Sequence, residues 1–373
     1  MMDRGLYALA SAVTLGMVAA AVRLVVRKTP RICRQRRPPT PLPKDYGVSA
    51  MKVANAAQRI APFVHRTPIH TCRALDEMCG RHAFFKCEVL QRTGSFKIRG
   101  ATNAALVAGA ETLVTHSSGN HAQALALAAR SVGAKAHIVM PRTAPAVKKA
   151  AVAGYGGLIE LCEPTNEARA AAAAALCERV GGHFVHPSND LDVIAGQGTV
   201  ACELLADLPD LDALVVPVGG GGLVSGMAVY AKSFNPRIAV VGAEPKRVDD
   251  AARSKAAGRL IDCHDDPAPS TIADGLKTLL DSNTWPVVRD LVDEIITVDE
   301  ADIAQATHLV WTRMKLCIEP SAGVGVAVLL SDAFKRHFPP DKYPRVGVIL
   351  CGGNTDLEKA AKTFLAPTPP PAG

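Results

Sequence analysis

Short apolar runs alternate with alanine-rich helical stretches from Met51 onward, and this alternation limits the possible folds more than any other feature of the chain. The apolar runs predict strands at Ala83–Phe85, Thr112–Thr115, Ala136–Val139, Gly157–Leu161, Ala213–Pro217, Ile238–Ala243 and Arg345–Leu350. The stretches between them predict helices that include Ala122–Val132, Thr165–Val180, Gly198–Leu208 and Leu223–Lys232. Alternating strands and helices form parallel sheets with helices on both faces. The sequence therefore predicts an α/β fold, and its 373 residues are enough for two domains.

The net charge of +7 does not indicate nucleic-acid binding. Basic residues outnumber acidic ones by seven within residues 1–45 alone, so the rest of the chain has no net charge. It therefore lacks the excess of Lys and Arg that a nucleic-acid-binding surface needs. The ten cysteines are scattered singly, without a C-x-x-C pair, which argues against a zinc site and a disulfide framework. We therefore expect no nucleic-acid partner, and we expect the thiols to be reduced and mostly buried.

Residues 1–45 form a separate segment. Leu6–Val22 is a run of 17 uncharged residues, at the short limit for a membrane span, and a basic stretch and a Pro-rich linker follow it. Three interpretations compete: a membrane anchor, a cleaved secretory or organellar targeting peptide, and an amphipathic surface helix. An anchor would leave the basic flank and the body facing the cytoplasm. At the other end, we expect residues 367–373 to be a disordered Pro-rich tail.

Four consecutive glycines, Gly219–Gly222, connect the strand at Ala213–Pro217 to the helical stretch at Leu223–Lys232. Glycines at such a turn let backbone N–H groups converge on an anion at a helix N-terminus. The run does not fit G-x-G-x-x-G, and it lacks the Lys-Ser/Thr pair of a Walker loop. We interpret it as a phosphate cradle, with a tight structural turn as the alternative.

Two further segments carry reactive side chains at predicted helix starts, and a fourth glycine-rich turn, Leu350–Asn354, ends the last predicted strand. In Gln91–Gly100, Lys97 lies among small and apolar residues. A desolvated lysine there would be a Schiff-base amine, whereas the ordinary alternative is a solvated surface lysine. The hydroxyl and N–H groups of Thr115–His121 suit a carboxylate, with a simple Ser or Asn helix cap as the alternative.

These four segments, in this order, resemble the serine/threonine dehydratase family of fold-type II pyridoxal-phosphate enzymes, which includes racemases of serine. Further matches are Lys86-Cys87-Glu88, Ile194–Thr199, Ala273–Gly275, Asn283–Pro286 and Ile318–Pro320. The resemblance covers about Thr67 to Leu357. It implies a fold like that of the tryptophan synthase β chain, with two open, twisted, mostly parallel sheets. A large domain would comprise residues 46–111 plus 190–366, and a small domain residues 112–189.

The resemblance also implies an activity, the interconversion of L- and D-serine by proton transfer at Cα, accompanied by β-elimination of serine to pyruvate and ammonia. Lys97 would hold pyridoxal phosphate covalently and move a proton on one face, and Ser118 would move it on the other. The residues implied for the cofactor are Phe96, Lys97, Asn120, Ser188, Gly219, Gly220, Gly221, Gly222, Gly275 and Cys351. Those implied for the substrate are Ser117, Ser118, Gly119 and His121.

A divalent-cation site is implied at Glu244, the carbonyl of Val248 and Asp250. Two carboxylates and a carbonyl suit Mg²⁺ or Ca²⁺, with solvated loop acids as the alternative. A nucleotide site is matched in part, so regulation by ATP is left open. Its matching residues are Arg92, Thr93, Gln123, Tyr155 and Asn354, whereas Cys72 and Arg73 replace a hydroxyl pair.

Two other positions depart from the family pattern. Cys351 stands where the racemases carry a serine beside the pyridine nitrogen, and a neutral thiol does not enforce a positive charge there as a carboxylate would. Ser188 replaces an asparagine beside the phenolic oxygen, with Asn189 next to it.

These departures keep other functions in consideration. The chain could be a serine/threonine dehydratase without significant racemisation, or a racemase of another amino acid such as aspartate. A membrane-tethered, non-catalytic sensor of amino acids or nucleotides is disfavoured because Lys97 is intact. A homodimer with a small amino acid as its substrate is expected in either enzymatic case.

Overall fold

The structure, a computed structural model, describes residues 40–261, 270–358 and 360. The expected anchor at Leu6–Val22 and the expected tail at 367–373 lie outside the described residues. Within the described ranges, no helix combines the length and the apolar character needed to cross a membrane.

Helices and strands alternate through most of the described chain. The helices are α1 (Ala50–Ile60), α2 (Arg73–Cys79), α3 (Lys97–Ala108), α4 (Asn120–Ser131), α5 (Ala146–Gly154), α6 (Asn166–Val180), α7 (Leu191–Asp207), α8 (Gly222–Phe234), α9 (Asp250–Ala257), α10 (Trp285–Leu291), α11 (Glu300–Leu309), α12 (Pro320–Leu330) and α13 (Asp332–His337). The strands are β1 (Ile69–His70), β2 (His82–Lys86), β3 (Thr112–His116), β4 (Lys135–Pro141), β5 (Leu158–Cys162), β6 (His183–Phe184), β7 (Ala213–Pro217), β8 (Ala239–Pro245), β9 (Glu294–Val298) and β10 (Arg345–Ile349).

The strands form two sheets. The six-stranded sheet has the order β1-β2-β10-β7-β8-β9, and all of its pairs are parallel except β1 with β2. Its central register aligns Gly347 with Phe84 on one side and with Leu214 on the other. The four-stranded sheet has the order β5-β4-β3-β6 and is parallel throughout. All strands of the smaller sheet lie within residues 112–189, and all strands of the larger sheet lie outside that range.

The predicted strands agree with the observed ones to within one or two residues, a margin that is normal for element ends. One predicted helix boundary is wrong, because α7 begins at Leu191 and not at Gly198. The Asp190 carboxylate accepts hydrogen bonds from the N–H groups of Asp192 and Val193 and so starts the helix earlier. The glycines inside α7 are packing positions, not a helix boundary.

Backbone contacts between glycines bring three helices close together. A Cβ on Gly196 of α7 would lie 2.6 Å from Cα of Gly100 on α3, and one on Gly198 would lie 2.6 Å from the carbonyl oxygen of Gly226 on α8. Only residues without a Cβ permit this approach. Helices α3 and α8 begin with the two segments singled out by their sequence, Lys97 and the glycine run, so their packing on α7 sets where those segments lie.

Candidate active site

The Lys97 amine is the centre of the candidate site. Its Nζ donates a hydrogen bond of 2.8 Å to the carbonyl of Pro187 and lies 5.2 Å from the centroid of the Phe96 ring. Burial lowers the pKa of this amine to about 8, although the neighbouring Cys351 and Glu319 act in the opposite direction. A lysine with such a pKa is partly neutral near pH 8 and can act as a nucleophile.

Helix α3 begins at Lys97 without a side-chain cap, and backbone contacts hold the residues just before it. The N–H of Phe96 donates to the carbonyl of Cys351 at 3.1 Å, and Ser95 forms a bridge with Gly352. Gly94 has a φ of +69°, and a Cβ there would lie 2.6 Å from the Asn354 side chain. The turn after β10 therefore packs directly against the segment that carries Lys97.

Gly219–Gly221 form the expected turn after β7, and Gly222 is the first residue of α8. Gly221 has a φ of +78°, and a Cβ on it would lie 2.6 Å from the Leu280 side chain. A Cβ on Gly219 would lie 3.0 Å from Cα of Leu276. The turn therefore packs against the segment 276–284, and its N–H groups lie at a helix N-terminus, where an anion is stabilised.

Ser188 connects this turn to Lys97. It follows Pro187, whose carbonyl holds the Lys97 amine, and its own carbonyl would lie 2.9 Å from a Cβ on Gly222. The Ser188 hydroxyl is buried against Gly220 and has no hydrogen-bond partner within the described residues. A buried hydroxyl without a partner, beside a helix N-terminus, fits a site for a polar group of a ligand.

Asn120, at the start of α4, belongs to a chain of hydrogen bonds. Its Nδ2 donates to both carboxylate oxygens of Glu319, at 2.9 and 3.2 Å, and its Oδ1 accepts from Asn354 Nδ2 at 2.9 Å. Burial raises the pKa of the Glu319 carboxyl to about 7, and the Asn120 amide lowers it in part. Glu319 has no role among the residues expected from the sequence, because a single acid in Ile318–Pro320 has no spacing that distinguishes it from a surface acid.

The turn after β3 carries the residues expected to bind substrate. The N-cap residue of α4 is Gly119 and no side chain caps the helix, so the alternative of a simple Ser or Asn cap is wrong. The N–H of Gly119 donates to Ser117 Oγ at 3.2 Å, which shapes the turn around Ser118. His121 is buried, and burial together with the nearby Lys97 charge holds its pKa well below the usual range. His121 is therefore neutral, and its turn lies close to Lys97.

Two further cofactor candidates lie on loops beside the same site. Cys351 follows β10 and is buried, and burial together with Glu319 raises the pKa of its thiol well above the ordinary value. The thiol is therefore neutral. The Gly275 N–H donates to Ser321 Oγ at 3.0 Å, in the loop segment that also contacts Gly219 through Leu276.

Glu244 and Asp250 are both buried, so the alternative of solvated loop acids is wrong. The Glu244 carboxylate accepts from the N–H groups of Ala251 and Ala252 at 3.0 and 2.9 Å, and Asp250 accepts from the N–H of Leu280 at 3.2 Å. Burial and the nearby Asp250 raise the pKa of Glu244 well above its usual value. No group of three His, Cys, Asp or Glu side chains with metal-site geometry occurs in the part of the chain that the structure describes.

The expected nucleotide residues are brought together only in part. The carbonyl of Thr93, whose φ is +58°, accepts from Asn354 Nδ2 at 2.7 Å. Arg92 is exposed beside it, and Gln123 is buried on α4. Tyr155 follows α5, within the region of the smaller sheet. The structure gives no hydrogen bond that joins these last three side chains.

The parallel sheets, the lysine of lowered pKa and the glycine turn define a class of protein. The family model described as "Pyridoxal-phosphate dependent enzyme" matches residues 60–352, and the chain belongs to this family. Its relatives include the serine racemase of Homo sapiens, which is 49% identical over 322 residues, covering 84% of this chain and 93% of that protein.

Two solved structures agree with this assignment. Maize serine racemase matches with a TM-score of 0.82 and 44% identity, covering 85% of this chain and 97% of that chain. The threonine deaminase from T.th. matches with a TM-score of 0.78 and 41% identity, covering 83% of this chain and 99% of that chain. The predicted fold class and the predicted resemblance are both confirmed.

Proposed function

We propose that this protein interconverts L- and D-serine with pyridoxal phosphate, and that it also eliminates the β-hydroxyl of serine to give pyruvate and ammonia. One observation carries the proposal. The Lys97 amine, with a pKa of about 8, is joined through Pro187 and Ser188 to an anion-binding turn at Gly219–Gly222. This pairing occurs in a chain whose relatives include serine racemases.

The residues around Lys97 fit the cofactor. The glycine turn would hold its phosphate, the unpartnered Ser188 hydroxyl would bind one of its polar groups, and Phe96 and Asn120 would flank its ring. The neutral Cys351 thiol suits the pyridine nitrogen, because it does not force a positive charge onto the ring. When bound, pyridoxal phosphate withdraws electrons from the Cα of an attached amino acid and so makes the Cα proton removable.

Lys97 and Ser118 would move that proton on opposite faces of Cα. The neutral Lys97 amine accepts a proton, and its low pKa makes this form accessible near neutral pH. Ser118 lies in the turn shaped by Ser117 and Gly119, and we assign to its hydroxyl the proton on the other face. Removal on one face and return on the other inverts the configuration.

The carboxylate of the amino acid would lie at the start of α4. The N-terminal end of this helix stabilises a negative charge, and its capping position is occupied by no side chain. Ser117, Gly119 and the neutral His121 would supply its hydrogen bonds. Because His121 carries no charge, orientation of the substrate depends on hydrogen bonds and the helix end, without an ion pair.

A cation site and a nucleotide site are further parts of the proposal. The buried Glu244 and Asp250 carboxylates, with the carbonyl of Val248, suit Mg²⁺ or Ca²⁺ completed by water. The contact between Thr93 and Asn354 supports an effector site for ATP, linked through Asn120 to the site around Lys97.

We propose a homodimer, with residues 46–111 plus 190–366 as the large domain and residues 112–189 as the small domain. The separation of the two sheets along these boundaries supports the division. Membrane contact through residues 6–22 stays a prediction.

Product analysis tests the function. The purified protein, loaded with pyridoxal phosphate, is incubated with L-serine, and D-serine and pyruvate are both measured. We expect both products, and we expect Lys97→Ala to form neither and to lose the visible absorbance of lysine-bound cofactor. Pyruvate without D-serine would favour the dehydratase, which the similarity to a threonine deaminase structure keeps as the second candidate. Turnover by Lys97→Ala would overturn the assignment.

A further inference from the structure

A closed cluster of four charged side chains, three of them buried and one 13% exposed, includes Arg99 in the first turn of α3. The Arg99 guanidinium donates to both oxygens of Glu88 at 2.8 Å, and to the two oxygens of Glu203 at 2.8 and 3.0 Å. Lys86 Nζ donates to Glu203 at 2.6 Å and to the carbonyl of Thr67 at 2.8 Å. Thr67 completes the ring by donating its hydroxyl to Glu88 at 2.6 Å.

The cluster joins three elements of the fold. Lys86 ends β2 and Glu88 follows it, Glu203 belongs to α7, and Arg99 lies in the first turn of α3, two residues after Lys97. The side chains of Lys86, Glu88 and Arg99 are completely buried, and that of Glu203 is 13% exposed.

Arg99 and Glu203 hold each other in the ionised form. Burial raises the pKa of Glu203, but Arg99 and Lys86 outweigh this and hold it at about 2. Burial acts to lower the pKa of Arg99, and the two carboxylates more than offset it, so the pKa is raised.

Stability alone does not explain why charged side chains are packed together here. Desolvation of a buried ion pair offsets much of its attraction, and apolar residues of similar volume are often at least as stabilising. The gain from a bidentate arginine is a fixed geometry. The start of α3 has no side-chain cap. The Gly100 N–H ties its first turn to α7 by donating to Gln197 Oε1 at 3.0 Å, and the Arg99 guanidinium ties the same turn both to Glu203 on α7 and to Glu88 after β2.

We propose that Arg99, held by Glu88 and Glu203, is a positioning residue that fixes the first turn of α3 and thereby the place of the Lys97 amine opposite the glycine turn. The proposal rests on the function of Lys97 proposed above. Lys97 lies between two restraints, the backbone contact of Phe96 on one side and the Arg99 guanidinium on the other. Loss of the second restraint would let the amine move relative to the cofactor. A displacement of about 1 Å costs up to about 100-fold in rate.

Arg99→Lys is the most specific variant, because it keeps the positive charge and removes the bidentate hydrogen bonds to the carboxylates. We expect kcat for serine to fall about 10- to 100-fold with little change in KM, and cofactor affinity to fall at least about tenfold. The visible absorbance band of lysine-bound cofactor should also shift or weaken. Glu203→Gln is the second variant, because it keeps the shape of a partly exposed side chain and would fold even if Arg99→Lys does not. It should change the same quantities in the same direction.

Lys232→Met is the matched control. Lys232 also forms a partly buried ion pair, with Asp293 at 2.7 Å, and donates to the carbonyl of Ile238, but it lies at the far end of α8 from the glycine turn. Its loss should lower the melting temperature and leave kcat, cofactor affinity and absorbance unchanged at 25 °C.

Two results would contradict the proposal. If Arg99→Lys or Glu203→Gln melts at a lower temperature but keeps wild-type kcat, cofactor affinity and absorbance, the cluster serves only stability. If the control changes the same quantities as the cluster variants, these quantities report general destabilisation. A failure of the function proposed for Lys97 would give a different result. In that case Lys97→Ala would keep the visible absorbance of covalently bound cofactor, whatever the cluster variants show.

Discussion

At the scale of single residues, the candidate site brings together two groups whose pKa values are displaced towards each other. Burial lowers the pKa of the Lys97 amine to about 8 and raises that of the Glu319 carboxyl to about 7. Each group therefore has both protonation states accessible near neutral pH. Displacements of this kind are typical of functional sites, because they provide a base and an acid at the same pH.

Glu319→Gln should make the protein more stable at high pH. The folded pKa of about 7 exceeds the unfolded one, so between about pH 4.5 and 7 the folded state holds a proton that the unfolded state has lost. Stability should therefore fall as pH rises through this window, by about 3 kcal/mol in total. Glutamine keeps an acceptor for the Asn120 amide and carries no charge. Chemical denaturation at pH 5 and pH 8 measures the effect.

We expect Glu319→Gln to gain stability over wild type at pH 8 and to gain little at pH 5. Asp332→Asn, at an exposed position in the first turn of α13, is the control, and the pH dependence of Glu319→Gln is read against it. An equal change at both pH values would mean that Glu319 is ionised throughout.

At the scale of elements, the packing of α7 on α3 and α8 decides where the two reactive helix starts lie. Gly196→Ala would place a Cβ 2.6 Å from Cα of Gly100 and 2.7 Å from the carbonyl oxygen of Arg99, and backbone atoms at these distances leave it no room. We expect a loss of about 1–3 kcal/mol in the free energy of unfolding. Chemical denaturation provides the measurement.

Gly154→Ala is the matched control, because no atom lies within 4 Å of the added Cβ at the end of α5. This variant should gain about 0.4–1 kcal/mol by restricting the unfolded chain. If Gly196→Ala were as stable as Gly154→Ala, the close approach of the helices would be wrong.

The junction of β8 and α9 gives a second prediction for an element. The Glu244 carboxylate accepts from two N–H groups in the first turn of α9, so it caps this helix even without a cation. If Glu244 and Asp250 also bind a cation, excess chelator should lower the melting temperature, because a ligand of the native state stabilises it by mass action. Added Mg²⁺ or Ca²⁺ should restore the melting temperature. Identical melting temperatures with chelator and with metal would leave Glu244 as a helix cap only.

Elements with a strong local sequence pattern could be predicted from the sequence. Elements that form only because they pair with a distant part of the chain could not. β7 is a continuous apolar run and its predicted bounds are those observed. β1 and β6 have two residues each, too short for any periodicity, and they exist because a neighbouring strand pairs with them. The same limit applies within the site, where the roles of Pro187 and Glu319 depend on contacts across 90 or more residues of sequence.

At the scale of the whole molecule, the glycine turn and Lys97 belong to the region of the larger sheet, and the Ser118 turn belongs to the smaller sheet. The Asn120 contact with Glu319 joins the two regions at the site, and Lys148 on α5 forms an ion pair of 2.8 Å with Asp274. The fold class and the order of the reactive segments could be predicted from the sequence. The contacts between the two regions could not, because side-chain pairs of this separation leave no pattern in a single chain.

The most direct test follows the Cα proton itself. L-serine is incubated in D₂O with the cofactor-loaded protein and with Ser118→Ala, and chiral chromatography with mass detection follows the D-serine, its deuterium content and the pyruvate. We predict that the wild type forms D-serine with deuterium at Cα, and that Ser118→Ala loses this by several orders of magnitude while it still forms pyruvate, because Lys97 alone removes the proton of L-serine. Formation of deuterated D-serine by Ser118→Ala at the wild-type rate would contradict proton transfer between Lys97 and Ser118.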